Sequence, residues 1–181
     1  QDGSSHLVAS TIPNCRAYDP AFGYELAVIV QDGARRMLEG QEDVFYYLTV
    51  MNENYAHPPM PAGIEQGILR GMYLYAAGSS EGLPESAPRV QLLASGVGMG
   101  WALEAQELLR TDWGVVADVF SVTSWNELRR DGLRCDEAAF LNPDAEAPVP
   151  WVTQQLAGRP GPVVAVSDYM RAVQDQIAQW V

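Results

Sequence analysis

The sequence predicts an α/β fold built on a largely parallel sheet. Strand-like and helix-like stretches alternate along the 181 residues, Val44 to Val50 is β-branched and aromatic without polar alternation, and 48% of the residues are hydrophobic. That apolar content is enough for one large domain or one and a half small ones.

Taken in order, Gln1 to His6 is a polar, turn-prone opening, followed by the short apolar stretch Leu7 to Ile12 and a turn at Ile12-Pro13-Asn14. Cys15 to Tyr18 reads as a short strand. Asp19-Pro20 has the form of an N-cap followed by proline at the first helical position, so a helix is expected to start there. Phe22, Leu26, Ile29, Val30, Ala34, Met37 and Leu38 recur at three- and four-residue steps and give that helix one apolar stripe, which Gly40 ends. Val44 to Val50 reads as a strand buried on both faces. Strand, helix, strand makes a right-handed crossover unit, and two short parallel strands cannot bury themselves. The sheet is therefore expected to extend into sequence upstream, and a polar opening without methionine suggests a piece of a larger protein.

Asn52 to Gly63 carries Pro58, Pro59 and Pro61 and reads as a stiff, extended connector between domains. Beyond it we expect strands at Ile68 to Ala76, Val90 to Ala94, Val115 to Val122 and Val163 to Val166. Gly78 to Pro88 reads as an exposed loop. Ser95 to Gly100 turns into a helix carrying Trp101, Leu103, Leu108 and Leu109, Ser124 caps a short helix from Trp125 to Arg130, and Met170 to Val181 is the last helix. Val149 to Leu156 is ambiguous.

The composition excludes several function classes. A net charge of −12 and a pI near 4.4 are the wrong sign for a nucleic-acid backbone. All 11 basic residues are arginine, which removes Schiff-base and P-loop lysine chemistry. No apolar run approaches the ~20 residues that would span a bilayer, and no signal-peptide pattern heads the chain, so a soluble, cytoplasmic protein is expected. Cys15 and Cys135 are far apart and without nearby histidine pairs, which reads as two reduced thiols and no metal site.

Few residues suggest chemistry on their own. Gly96, Gly98 and Gly100 lack the spacing and the following acid of a dinucleotide fingerprint and read as a tight strand-to-helix turn. Glu104, Glu107, Asp136 and Glu137 read as solvated surface, and Tyr46, Tyr47 and Trp101 as core aromatics. His57 lies in the connector as an exposed or interface imidazole. His6 closes a polar turn near Asp2, a setting in which neighbouring groups can fix its orientation and protonation.

Asp2-Gly3-x-x-His6 resembles a loop in the pyrimidine-binding domain of transketolase-like, thiamine-diphosphate-dependent enzymes. Thr11-Ile12-Pro13-Asn14-Cys15, Tyr18-Asp19-Pro20-Ala21, Asn52-Glu53-Asn54-Tyr55, Val122-Thr123-Ser124-Trp125 and Glu127-Leu128-x-Arg130-Asp131-Gly132 narrow the resemblance to the homodimeric bacterial pyruvate dehydrogenase decarboxylating component. Transketolases carry a sugar-phosphate-binding arginine after the equivalent strand. Leu48-Thr49-Val50-Met51 has none, so a small unphosphorylated 2-oxo acid fits better than the substrate of a carboligase.

The resemblance implies the end of a parallel-sheet pyrimidine-binding domain over residues 1–55, a proline-rich connector over 56–66, and a transketolase C-terminal-like α/β domain over 67–181. It implies His6 as a catalytic residue that donates a hydrogen bond or proton, with Asp2 supporting it in the substrate pocket. It further implies thiamine diphosphate and Mg2+ as cofactors, pyruvate or a similar 2-oxo acid as substrate, a lipoyl-bearing dihydrolipoyl acyltransferase as partner, and a homodimer; a non-catalytic assembly module is the alternative outside enzymes. Gln1 stands where the family commonly has glutamate and Ser4 where many members have a further histidine, which leaves 2-oxobutyrate open as substrate. The family's Gly-Asp-Gly metal motif and its aminopyrimidine-activating glutamate are absent from this sequence, so the chain by itself is expected to be inactive.

Overall fold

Two mostly apolar, buried strands form the centre of the molecule, seen in a computed structural model that describes residues 3–52 and 54–181. These are β4, Arg89–Ala94, and β5, Val116–Ser121, which pair in parallel. They are flanked by β3, Tyr73–Ala76, antiparallel to β5, and by β6, Val163–Val166, parallel to β4. The sheet order is β3-β5-β4-β6, so the expected largely parallel sheet is present with one antiparallel edge.

Both faces of the two central strands are covered, which is why they are mostly apolar and why their polar residues Gln91 and Asp118 are buried. Leu92 and Val119 face α4, Gly98–Trp113, through Met99 and Ala102. Leu93 and Phe120 face the opposite layer, where α5, Trp125–Leu141, α6, Trp151–Leu156, and the C-terminal segment contribute Trp125, Leu128, Val152, Val173 and Ile177. Burying each such side chain contributes about 1.5–3 kcal/mol.

The N-terminal part is smaller. α1, Ser5–Ser10, leads to β1, Cys15–Tyr18, and α2, Gly23–Ala34, continues through a π-helical turn, Arg35–Glu39, to β2, Phe45–Leu48. β1 and β2 pair in parallel as a separate two-stranded sheet. Ile29 of α2 packs on one face with Tyr18 and Tyr46, and Ala9 of α1 packs on the other with Cys15, Ala17 and Tyr47. β2 is only half-buried, contrary to the expectation, because its outer edge has no neighbour strand among the described residues.

Four other expectations change. Ile68 to Ala76 is not one strand: α3, Glu65–Arg70, ends at Gly71 in a left-handed turn before β3 begins. α2 starts at Gly23 rather than at Asp19-Pro20, because the Asp19 side chain is buried with partners from distant segments. α5 runs past Arg130 to Leu141. Gly132 within it lies against the Trp180 ring, where a Cβ would come within 2.5 Å of the indole. Trp101 is 56% exposed on α4 rather than in the core. The ambiguous segment resolves as α6, and the final helix as α7, Arg171–Gln174, with a 3-10 turn over Asp175–Trp180. No helix among the described residues is long and apolar enough to cross a membrane.

Candidate active site

His6 is not on an exposed turn. It occupies the first turn of α1 and is 1% exposed, with Tyr47 and Tyr169 set edge-on to its ring at centroid distances of 5.6 and 4.7 Å. Its backbone carbonyl accepts from Asn126 Nδ2 of α5 at 2.9 Å, and its Nε2 lies 3.2 Å from Thr49 Oγ1 just beyond β2. Three segments distant in sequence therefore hold this histidine, two at its ring and one at its backbone. Asp2, the second residue singled out from the motif, lies outside the described residues.

Thr49 leads to a buried carboxylate. Its hydroxyl donates to Asp19 Oδ1 at 2.7 Å, and Ser95 Oγ donates to Asp19 Oδ2 at 2.8 Å. Ser95 Oγ also accepts from Trp125 Nε1 at 3.2 Å and lies 3.2 Å from Ser167 Oγ. Burial pushes the Asp19 carboxyl above the usual range, while the two hydroxyls and the nearby His6 draw it back. The carboxylate sits where α4 begins because residue 96 is glycine: at φ +51°, a Cβ there would stand 2.8 Å from Asp19 Oδ2. The glycine-rich turn thus serves a side chain 76 positions earlier, as the hydrogen bond from Ser95 to Asp19 requires.

A second buried acid lies nearby in the fold. Glu25 accepts from the Ala21 and Phe22 amides at 2.6 and 3.0 Å through Oε2, and from Ser121 and Tyr73 hydroxyls at 2.6 and 2.7 Å through Oε1. Tyr24 and Tyr73 hydroxyls are 2.7 Å apart. Burial raises the Glu25 pKa, and the four hydrogen bonds oppose that rise.

Four of the strings that carry the resemblance touch one another or their neighbours. Asp19 N donates to Thr123 O at 2.8 Å, Thr123 Oγ1 to Ile68 O at 2.6 Å, and Ser124 Oγ to Ala17 O at 2.5 Å while capping α5 at Glu127 N. Glu127 pairs with Arg16 at 2.8 Å, and Arg130 donates to Pro13 O and Cys15 O at 2.6 and 2.9 Å. These residues fasten α5 to β1 and hold the wall that contains His6.

Sequence reasoning reached His6 but not Thr49, Asp19, Ser95 or Glu25. The available signals were a hydroxyl at the end of an apolar strand and an acid in the first turn of a helix. His57 is exposed; its Nδ1 accepts from Gly23 N at 3.0 Å, and it lines a cleft of about 480 Å³ with Phe22, Tyr75, Met99 and Trp101 that does not include His6. Among the described residues no three or more His, Cys, Asp or Glu side chains converge to hold a metal ion. Cys15 and Cys135 are both free thiols.

Residues 1–58 match the pyruvate dehydrogenase E1 component middle domain, and residues 71–180 the transketolase-like TK C-terminal domain. The chain is 54% identical over 181 residues to a pyruvate dehydrogenase E1 component of Pseudomonas aeruginosa, covering 100% of this chain and 20% of that protein. It is 49% identical over 182 residues to that of Mycobacterium tuberculosis, covering 99% and 19%, and 45% identical over 182 residues to that of Escherichia coli K12, covering 100% and 20%. The chain thus spans about a fifth of the length of these relatives. Among solved structures, a transketolase mutant from Pichia stipitis superposes with a TM-score of 0.55 at 18% identity, covering 92% of this chain and 20% of that one, which establishes a shared fold. The chain belongs to the transketolase-like family, through the C-terminal domain over residues 71–180 and, ahead of it, a match to the middle domain of the pyruvate dehydrogenase E1 component.

Proposed function

We propose that the whole protein is a thiamine-diphosphate-dependent pyruvate dehydrogenase E1 component. It decarboxylates pyruvate and transfers the acyl group to the lipoyl group of a partner dihydrolipoyl acyltransferase, working as a cytoplasmic homodimer. The observation that carries this reading is identity of up to 54%, across the entire chain, with proteins of that name. On the same reading residues 1–55 close the pyrimidine-binding domain, 56–66 connect, and 67–181 form the C-terminal domain.

The described residues do not fit the cofactor's diphosphate and magnesium, since they hold no convergent cluster of metal ligands. Those groups belong to other parts of the protein, and this chain contributes one wall. Within that wall His6 donates a hydrogen bond or proton to an oxygen of the substrate on which negative charge develops, and Asp2 supports it. Tyr47 and Tyr169 cover the imidazole in this chain, so its part in the reaction requires that cover to open when substrate binds.

In the full-length protein, His6→Ala is expected to lower kcat with pyruvate by about 100-fold or more, with thiamine diphosphate affinity within about twofold of wild type. Unchanged kcat would remove His6 from the reaction. Failure of the purified protein to acetylate a lipoyl domain with pyruvate, cofactor and Mg2+ would remove the assignment itself.

A further inference from the structure

His6, Thr49 and Asp19 stand in file, and with Asp19 ionised the direction of each hydrogen bond in the file is fixed. Thr49 Oγ1 is 2.7 Å from Asp19 Oδ1, 3.2 Å from His6 Nε2 and 3.3 Å from the Tyr18 carbonyl. A threonine hydroxyl has one proton to donate. The carboxylate oxygen is the nearest acceptor and, when ionised, the strongest, so the proton points there. The bond between Thr49 and His6 must then use a hydrogen on Nε2, with the Thr49 oxygen accepting. In the neutral ring the basic lone pair falls on Nδ1.

Asp19 is held as firmly as the residue it serves. Its second oxygen accepts from Ser95, which in turn accepts from Trp125, and each of Asp19, Ser95 and Trp125 is at most 2% exposed. Swinging the carboxylate away from Thr49 would therefore also break its 2.8 Å bond from the buried Ser95 hydroxyl.

We infer that Thr49 and Asp19 are positioning residues for His6, holding the imidazole with its hydrogen on Nε2 so that Nδ1 is the nitrogen that gives and takes a proton. The inference rests on the role proposed above for His6. When the ring acts as an acid, the Nδ1–H bond breaks and the proton joins the substrate oxygen. The neutral ring that remains keeps its hydrogen against Thr49, so the next proton returns to the same nitrogen. Asp19, one hydroxyl away, stabilises the imidazolium as the carboxylate of a histidine–carboxylate pair does. Among the described residues Tyr47 and Tyr169 also face the ring, with Asp168 acting on Asp19 from the segment after β6.

Two measurements test this. In the chain labelled with 15N at its two histidines, nitrogen shifts should report His6 protonated at Nε2. His57, whose Nδ1 is committed to accepting from Gly23 N, serves as the reference, and His6→Asn assigns the signals. A His6 protonated at Nδ1 alone would overturn the inference, as would a tautomer unmoved by Thr49→Val. In the full-length protein, Thr49→Val should lower kcat about 10- to 100-fold with KM little changed, and Thr49→Ser, which keeps the hydroxyl, should restore it to within about threefold. Thr49→Val at wild-type kcat, or Thr49→Ser as slow as Thr49→Val, would overturn the positioning role while leaving a slow His6→Ala to support the proposed function. If His6→Ala itself turns over normally, the reading of His6 falls, and the nitrogen shifts alone decide the tautomer.

Discussion

Ser121 Oγ donates to Glu25 Oε1 at 2.6 Å, so the last residue of the central strand β5 is tied to the first turn of α2, 96 positions earlier. With the Tyr73 hydroxyl and the Ala21 and Phe22 amides, this gives one buried carboxylate four donors from three parts of the chain.

Glu25→Ala leaves those donors without an acceptor and is expected to cost about 3 kcal/mol, measured by urea unfolding. The pH dependence has a definite sign. Burial raises the folded-state pKa of Glu25, so the folded state holds the proton more tightly than the unfolded chain. Stability is highest below the ordinary glutamate range and falls as pH rises through the folded pKa. Asp19, also raised by burial, adds to the same slope. Glu25→Gln should flatten the fall in the urea midpoint above about pH 5; a slope identical to wild type would mean that Glu25 is not the group titrating.

The glycines of the turn before α4 are expected to behave oppositely. Gly96 has φ +51° and faces the Asp19 carboxylate, so Gly96→Ala should destabilise by about 2 kcal/mol. Gly100 has open space where its Cβ would be, inside a 16-residue helix, and Gly100→Ala should stabilise by about 0.5–1 kcal/mol. At about 2–4 °C per kcal/mol for a chain of this size, thermal melts separate the two. Equal shifts for both substitutions would contradict the packing of Asp19 against residue 96.

Whether a feature could be read from sequence depended on how local its cause is. β4 and β5 were legible because their covered faces demand mostly apolar residues, and β6 because Val163 to Val166 is a short, mostly β-branched run beside them. Ile68 to Ala76 misled because apolar residues span the end of α3 and the start of β3, broken only by Arg70-Gly71. Asp19-Pro20 has the local chemistry of a helix start, yet Thr49 and Ser95 decide where its carboxylate goes. The helix expected to stop at Arg130 continues, and Gly132 within it is the seat of Trp180. The site divides in the same way. His6 was legible through its motif, whereas the hydroxyl and carboxylate behind it come from segments whose proximity only the fold creates.

Arg130 reaches from α5 to the carbonyls of Pro13 and Cys15 and also meets Glu127. Arg130→Ala should cost about 1–2 kcal/mol, and Arg130→Lys should recover less than half of it, because an ammonium cannot span both carbonyls as the guanidinium fork does. Amide hydrogen exchange should rise in β1 in both variants. Full recovery by lysine would reduce the contact to simple charge.

Cys15 and Cys135 lie at 2% and 8% exposure, and burial is the main cause raising both thiol pKa values, with the nearby acids adding to it and the nearby arginines opposing it. The thiolate is the reactive form, and a raised pKa keeps both sulfurs protonated at neutral pH. Both should therefore react with a disulfide reagent at least about 100-fold more slowly in the native protein than in urea, with rates that climb only above about pH 9. Arg130→Ala frees the Cys15 carbonyl but also removes a cation that favours the Cys15 thiolate, so Cys15 should react faster through added exposure, with its pH dependence moved upward, while Cys135 is unchanged. Equal acceleration of the two thiols would mean that the substitution loosens the whole molecule rather than the strand that α5 holds in place.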